Sequence, residues 1–113
     1  MPEYTVSSGN IFSDLGFSNA EEKLAKVKLA SLIYDILNER QLSDSEVAII
    51  FKIDIPKVTD LKNGRLQGFP LEKLLYFLLA LGQNIDIMVS PKPETVSSGS
   101  IQVVRTHYNK VSL

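Results

Sequence analysis

The sequence predicts a mainly α-helical protein: a compact bundle of four to five helices, followed by a short C-terminal β-strand or hairpin suited to dimerisation. Three observations carry this reading. Apolar residues recur at helical spacing across residues 20–81. Start and stop signals, among them Ser43, Pro56, Asn63-Gly64, Pro70 and Gly82, cut that pattern into separate helices. After Gly82 the spacing changes to alternation, with Ile85, Ile87 and Val89 set against Asp86, Met88 and Ser90. The resulting organisation is an N-terminal arm at 1–19, a helical domain at 20–83, and C-terminal strand(s) and tail at 84–113.

The arm is rich in turn residues, and Ile11, Phe12, Leu15 and Phe17 are the apolar residues expected to clamp it onto the helices. Ser18 or Asn19 caps the first helix, where Glu21 and Glu22 suit the positive end of the helix dipole. This helix runs to about Arg40 with Leu29, Ile33, Ile36 and Leu37 on one face. Ser43-Asp44-Ser45-Glu46 is a capping box that opens a short second helix. Asp54-Ile55-Pro56 opens a third, with proline in the first turn, where its missing N–H costs nothing; Asn63-Gly64 closes it. The last helix follows Pro70 and reads LEKLLYFLLAL, apolar on nearly every side and so expected to be buried on nearly every side, with Tyr76 and Phe77 in the core or a dimer interface. A second strand is expected at 101–108, with Val103 and Arg105 facing opposite to Gln102 and Val104. A lone two-stranded element is marginal in water, so the 85–89 strand is expected to pair with its copy in a second chain, with the 101–105 segment, or with both.

Composition excludes several functions. The 113 residues include no cysteine, so disulfides and thiolate metal sites are ruled out, and the single His107 leaves no histidine cluster for a metal. His107 reads as a structural or exposed residue rather than a catalytic base. No nucleophile-elbow pattern or phosphate-cradling glycine loop is present, which argues against an enzyme and against a cofactor. No apolar run approaches the ~20 residues that span a bilayer, and the N-terminus lacks a secretion signal, so a cytoplasmic protein is expected. Net charge is −1, yet its distribution is polar: residues 1–51 carry eight acidic and four basic side chains, and residues 52–113 carry five acidic and eight basic. Affinity for nucleic acid depends on local phosphate neutralisation rather than on the total, and the sign changes in the middle of the short second and third helices.

Those two helices, at 44–64, hold the most informative pattern. Counting Asp44 as the first place, a small residue, Ala48, falls at the fifth, where it lets one helix cross close over the other. Val47, Phe51, Ile53, Val58 and Leu61 occupy the fourth, eighth, tenth, fifteenth and eighteenth places, which wedge the pair at a steep angle. This looks like a helix-turn-helix of the phage-repressor (Xre/Cro) type, whose second helix enters the DNA major groove.

Three further stretches carry a closer resemblance. Ser8-Gly9-Asn10-Ile11-Phe12-Ser13-Asp14-Leu15-Gly16, Ile53-Asp54-Ile55-Pro56-Lys57-Val58 and Gly64-Arg65-Leu66-Gln67-Gly68-Phe69 resemble a compact bacterial family of Xre-type regulators related to HigA antitoxins. With Ala80-Leu81-Gly82 and the strand after it, the resemblance covers roughly residues 8–90; the tail after Pro93 lies outside it. It implies an antitoxin that neutralises a small ribonuclease toxin of the RelE/HigB kind and represses its own operon. Two positions depart from the family. Lys52 stands at the ninth place, which is usually a glycine, so a left-handed turn there costs of order 1 kcal/mol. Asp60 stands where relatives carry a basic or neutral residue; its carboxylate repels phosphate but can accept from cytosine N4.

The register assigns roles. Val58 and Leu61 point inward, which turns Ile55, Pro56, Lys57, Thr59 and Asp60 toward base edges, Ile55 and Pro56 near thymine methyls. Ser43, Ser45, Lys62, Asn63 and Arg65 are the phosphate candidates, through side chains and the helix N-terminus. The plain alternative is a set of solvated polar residues. Ile85, Ile87 and Val89 are the dimerisation candidates, since helix-turn-helix proteins commonly read two half-sites one DNA turn apart. The expected partners are operator DNA as a duplex, a second copy of the chain and a RelE/HigB-like toxin, with no membrane. The competing reading is a protein-interaction module of the same fold that neutralises a partner and hardly touches DNA, for which Asp54 and Asp60 speak. An RNA-binding adaptor lacks the stacking aromatics of an exposed sheet.

Overall fold

The computed structural model describes residues 19–106, and within them four helices: α1 (Asn19–Glu39), α2 (Asp44–Phe51), α3 (Ile55–Lys62) and α4 (Leu71–Ala80). The expected arm residues Ile11, Phe12, Leu15 and Phe17, together with His107, lie outside the described residues.

The helices close around one apolar core. Leu29, Ala30, Ile33, Ile36 and Leu37 come from α1, Val47 and Phe51 from α2, Val58 and Leu61 from α3, and Leu74, Phe77 and Leu78 from α4. Phe51 stacks flat on Phe77 with ring centroids 4.1 Å apart, and Phe69, from the loop between α3 and α4, meets Phe77 edge-on at 5.9 Å. The edge-on contact suits the aromatic quadrupole and the flat stack buries both ring faces, so this trio fastens α2, the loop and α4 together.

Chain reversal between the helices follows one device. At the end of α1, Gln41 is left-handed (φ 54°), its N–H donates to Asn38 O, and Leu42 N–H donates to Leu37 O. At the end of α3, Gly64 (φ 76°) and Arg65 donate to Leu61 O and Asp60 O; at the end of α4, Gly82 (φ 78°) and Gln83 donate to Leu79 O and Leu78 O. These pairs satisfy carbonyls that a helix end would otherwise leave open. Lys52 closes α2 in the same left-handed region (φ 59°, ψ 47°), with Ile53 N–H reaching Ala48 O. The turn expected of glycine is therefore made by lysine, at a conformational cost rather than by a change of turn. Arg40 joins the ends of α1 and α4 by donating from its guanidinium to Leu81 O at 2.7 Å.

Two expectations need correction. The last helix is not buried all round: Tyr76 and Leu79 are 47% and 55% exposed, so α4 covers the core with one face and offers an apolar outer one. Among the described residues no other helix covers its far side, and composition alone does not register that. The C-terminal β-strand or hairpin is also not formed among the described residues: 84–90 and 101–106 have no strand structure, and no ladder joins them. Ile85 packs against the core, whereas Ile87 and Val89 are 79% and 90% exposed and Met88 stands free beside them. The 101–106 segment lies along α1 instead. Ile101 N–H reaches the Glu21 carboxylate at 3.4 Å, Val103 packs on the core, and Arg105 grips Glu39 with two bonds of 2.7 and 2.8 Å. The alternation read from sequence survives in this placement, since Ile101, Val103 and Arg105 are partly buried and Gln102, Val104 and Thr106 are exposed.

Candidate nucleic-acid interface

The interface is built by α2 and α3, and its register follows from what is buried. Val47, Phe51, Val58 and Leu61 are sealed in the core, and Ala48 and Ile53 pack against it, so all six key places of the motif take their expected positions. Ile50 joins this packing, while Ile49 points to solvent. With Val58 and Leu61 inward, helical geometry turns Ile55, Pro56, Lys57 and Thr59 outward, and all four are exposed; Asp60 is partly so.

Local chemistry fixes the start of each helix. Ser43 closes a complete capping box: its hydroxyl accepts from Glu46 N–H at 3.2 Å, and its own N–H donates to the Glu46 carboxylate at 2.8 Å. The hydroxyl proton is left for an outside acceptor, and Ser45, one place further in, is exposed. At α3, Asp54 holds the cap position without a side-chain bond, and Pro56 sits in the first turn, so no side chain of the helix blocks its N-terminus by capping it. Thr59 returns its hydroxyl to Ile55 O at 3.3 Å, which orients it while keeping one oxygen lone pair outward.

The cations are not loose. Lys62 is paired with Asp44, which places the end of α3 beside the start of α2. Arg65 is paired with Asp60 at 2.9 Å through its Nε, leaving the terminal guanidinium nitrogens as donors. Lys57 lies over the Phe69 ring, its ammonium 5.4 Å from the centroid, a contact worth roughly 0.5–1 kcal/mol at an exposed site. Lys52 has no ion-pair partner among the described residues and stands exposed at the turn between the two helices. Residues 52–65 thus carry four basic side chains against two acidic ones. Sequence reasoning missed Phe69, Gly68 and Lys52 as members of this neighbourhood. Lys52 was visible as a cation at the ninth place, but the Lys57–Phe69 contact depends on how the loop after α3 folds back.

A family model described as a helix-turn-helix domain matches residues 11–90. A solved chain assigned to the XRE family of transcriptional regulators is 34% identical, superposes with a TM-score of 0.74, and is covered over its whole length by 79% of the present chain. The chain belongs to the XRE-type helix-turn-helix family. No curated protein matches it significantly. The segment beyond residue 90 lies outside the matched domain. No helix among the described residues is long and apolar enough to cross a membrane.

Proposed function

We propose that this XRE-type protein is a sequence-specific DNA-binding transcriptional regulator that reads its operator through α3. The observation that carries the reading is the burial of Val58 and Leu61 while Ile55, Pro56, Lys57 and Thr59 stand exposed on the same helix. That geometry supports base contacts from Ile55, Pro56, Lys57 and Thr59, and phosphate contacts from Ser43, Ser45, Lys62, Asn63 and Arg65. Asp60 is better read as the holder of Arg65 than as a base reader.

The regulator acts as a two-fold dimer, with the segment at 84–90, which joins no ladder among the described residues, and the exposed side chains of Ile87 and Val89 as the contact region, and Ile85 anchoring that segment to its own core. Exposed apolar side chains grouped on one segment are the kind of surface a second copy covers. Its closer resemblance supports an antitoxin role toward a RelE/HigB-like ribonuclease, with autorepression of the shared operon. The segments at 1–19 or 91–113, at either end of the chain, are the natural toxin contacts.

A second reading, a protein-interaction module with little DNA affinity, is favoured by one observation: Lys62 and Arg65 are each neutralised by a carboxylate of the same chain. Titrating the protein against the DNA just upstream of its own gene at two salt concentrations separates the two. Tight binding that weakens steeply with salt supports the regulator; equal, weak binding to that DNA and to an unrelated duplex supports the module.

A further inference from the structure

Gly68 and Phe69 form a cradle under Lys57. The ring of Phe69 is buried and fixed edge-on against Phe77, so its face is a rigid floor for the Lys57 ammonium. Gly68 forms the wall: a Cβ built on it would stand 2.8 Å from Lys57 Nζ and would meet nothing else as near, and Gly68 has no left-handed backbone that would otherwise demand glycine. A side chain at 68 would therefore compete with the end of Lys57, and with no other atom within 4 Å, for that space.

A lysine has a flexible four-carbon stem and, left to itself, finds phosphates and reads nothing. A lysine whose ammonium rests over the Phe69 ring beside Gly68 has fewer places to put its donors than a free one. In the major groove, guanine offers two acceptors, O6 and N7, to such a donor, whereas adenine sets an amino donor beside its N7. We propose that Gly68 and Phe69 are positioning residues that convert Lys57 from a phosphate contact into a reader of guanine at one position of each half-site. This rests on the DNA-binding reading above and names the base it selects.

The test uses the full chain, a pool of randomised duplexes of about 20 base pairs, and three proteins: the unaltered one, Lys57→Ala and Gly68→Ala. For the unaltered protein one position per half-site is expected to prefer guanine by roughly tenfold or more. Lys57→Ala flattens that preference and lowers the salt slope by about one. Gly68→Ala, whose Cβ displaces only the flexible end of Lys57, flattens the same position while leaving the salt slope and the thermal midpoint unchanged. A Gly68→Ala profile identical to the original, with Lys57→Ala altered, overturns the positioning role and leaves the DNA-binding reading standing. A flat profile for the unaltered protein overturns both. Loss at every position in Gly68→Ala, rather than at one, also overturns it, since that is the mark of a loop disturbed as a whole.

Discussion

Asp60 and Arg65 are joined twice: the Arg65 N–H donates to the Asp60 carbonyl at 2.8 Å, and the Arg65 Nε donates to the Asp60 carboxylate at 2.9 Å. The backbone bond belongs to the turn that closes α3, where the two positions usually make an apolar contact. Here an ion pair takes that place. It is an exposed pair, so its own contribution to stability is about 0–1 kcal/mol. Its consequence is geometric, since it holds Arg65 against the end of α3, next to the surface proposed for DNA.

From this follows a prediction with a definite sign. Asp60→Ala removes a carboxylate that repels phosphate and occupies Arg65, so operator affinity should rise roughly three- to tenfold at low salt, and the gain should fade as salt increases. Stability should fall by no more than about 1 kcal/mol. Competition binding at several salt concentrations checks it. A loss of affinity confined to one C·G position would instead make Asp60 a reader of cytosine.

Arg65→Ala should weaken binding to all sequences about equally and lower the salt slope by about one. The same holds for Lys52→Ala, since Lys52 stands exposed at the motif's turn. Paired titrations on operator and random duplex separate this uniform loss from a loss of specificity.

Lys52 also bears on stability. A left-handed lysine is strained by about 1–2 kcal/mol, of which glycine's greater freedom in the unfolded chain returns roughly 0.5–1. Lys52→Gly should therefore stabilise the domain by roughly 0.5–1 kcal/mol, a rise of several degrees in Tm for a domain of this size. Thermal unfolding measures it. An unchanged or lowered Tm would show that the lysine stem contributes packing the strain argument omits.

Ser43→Ala should cost about 1 kcal/mol by opening the capping box of α2, and should speed amide exchange in the first turn of that helix before it affects α1 or α4. Hydrogen exchange resolved by residue reads this.

The tail offers a separate test. Glu39→Ala should free residues 101–106 from α1, seen as faster backbone motion there, while the core stays intact. The pH behaviour of Arg105 has a clear sign. Its hydrogen bond to Glu39 raises its pKa further above the ordinary value, so the stabilisation is complete below the unfolded pKa and is lost only as pH climbs through the raised one, in strong alkali. Arg105 titration should leave the docked tail unaffected throughout the neutral range.

How far these features could be read from sequence follows their locality. The register of Val47, Ala48, Phe51, Val58 and Leu61 was legible because burial at fixed spacing is a local pattern. The ends of α2 and α3 were legible because Ser43, Glu46, Pro56 and Gly64 have local conformational meaning. The outer face of α4 was not, because Tyr76 and Leu79 obey the same apolar pattern as their buried neighbours, and only the number of neighbouring helices distinguishes them. The grip of Arg105 on Glu39 was not, since it spans 66 residues. The Asp60–Arg65 pair was within reach: a carboxylate five places before an arginine, across a helix end closed by Gly64, is the spacing that the closing turn brings together. The strand expected at 85–89 is not formed among the described residues for a reason of the same kind, because alternation reports a two-faced segment and not the ladder partner a strand requires.

The central claim is that the outer face of α3 meets DNA. Its most direct measurement is a residue-resolved amide NMR titration of the full chain with the duplex from upstream of its own gene. The account predicts that the largest shifts fall on Ile55, on residues 57–62 and on Arg65, with Lys57 and Thr59 foremost and the outer face of α4 unmoved. Shifts centred on Tyr76 and Leu79, or along the outer face of α1, with α3 silent, would contradict it.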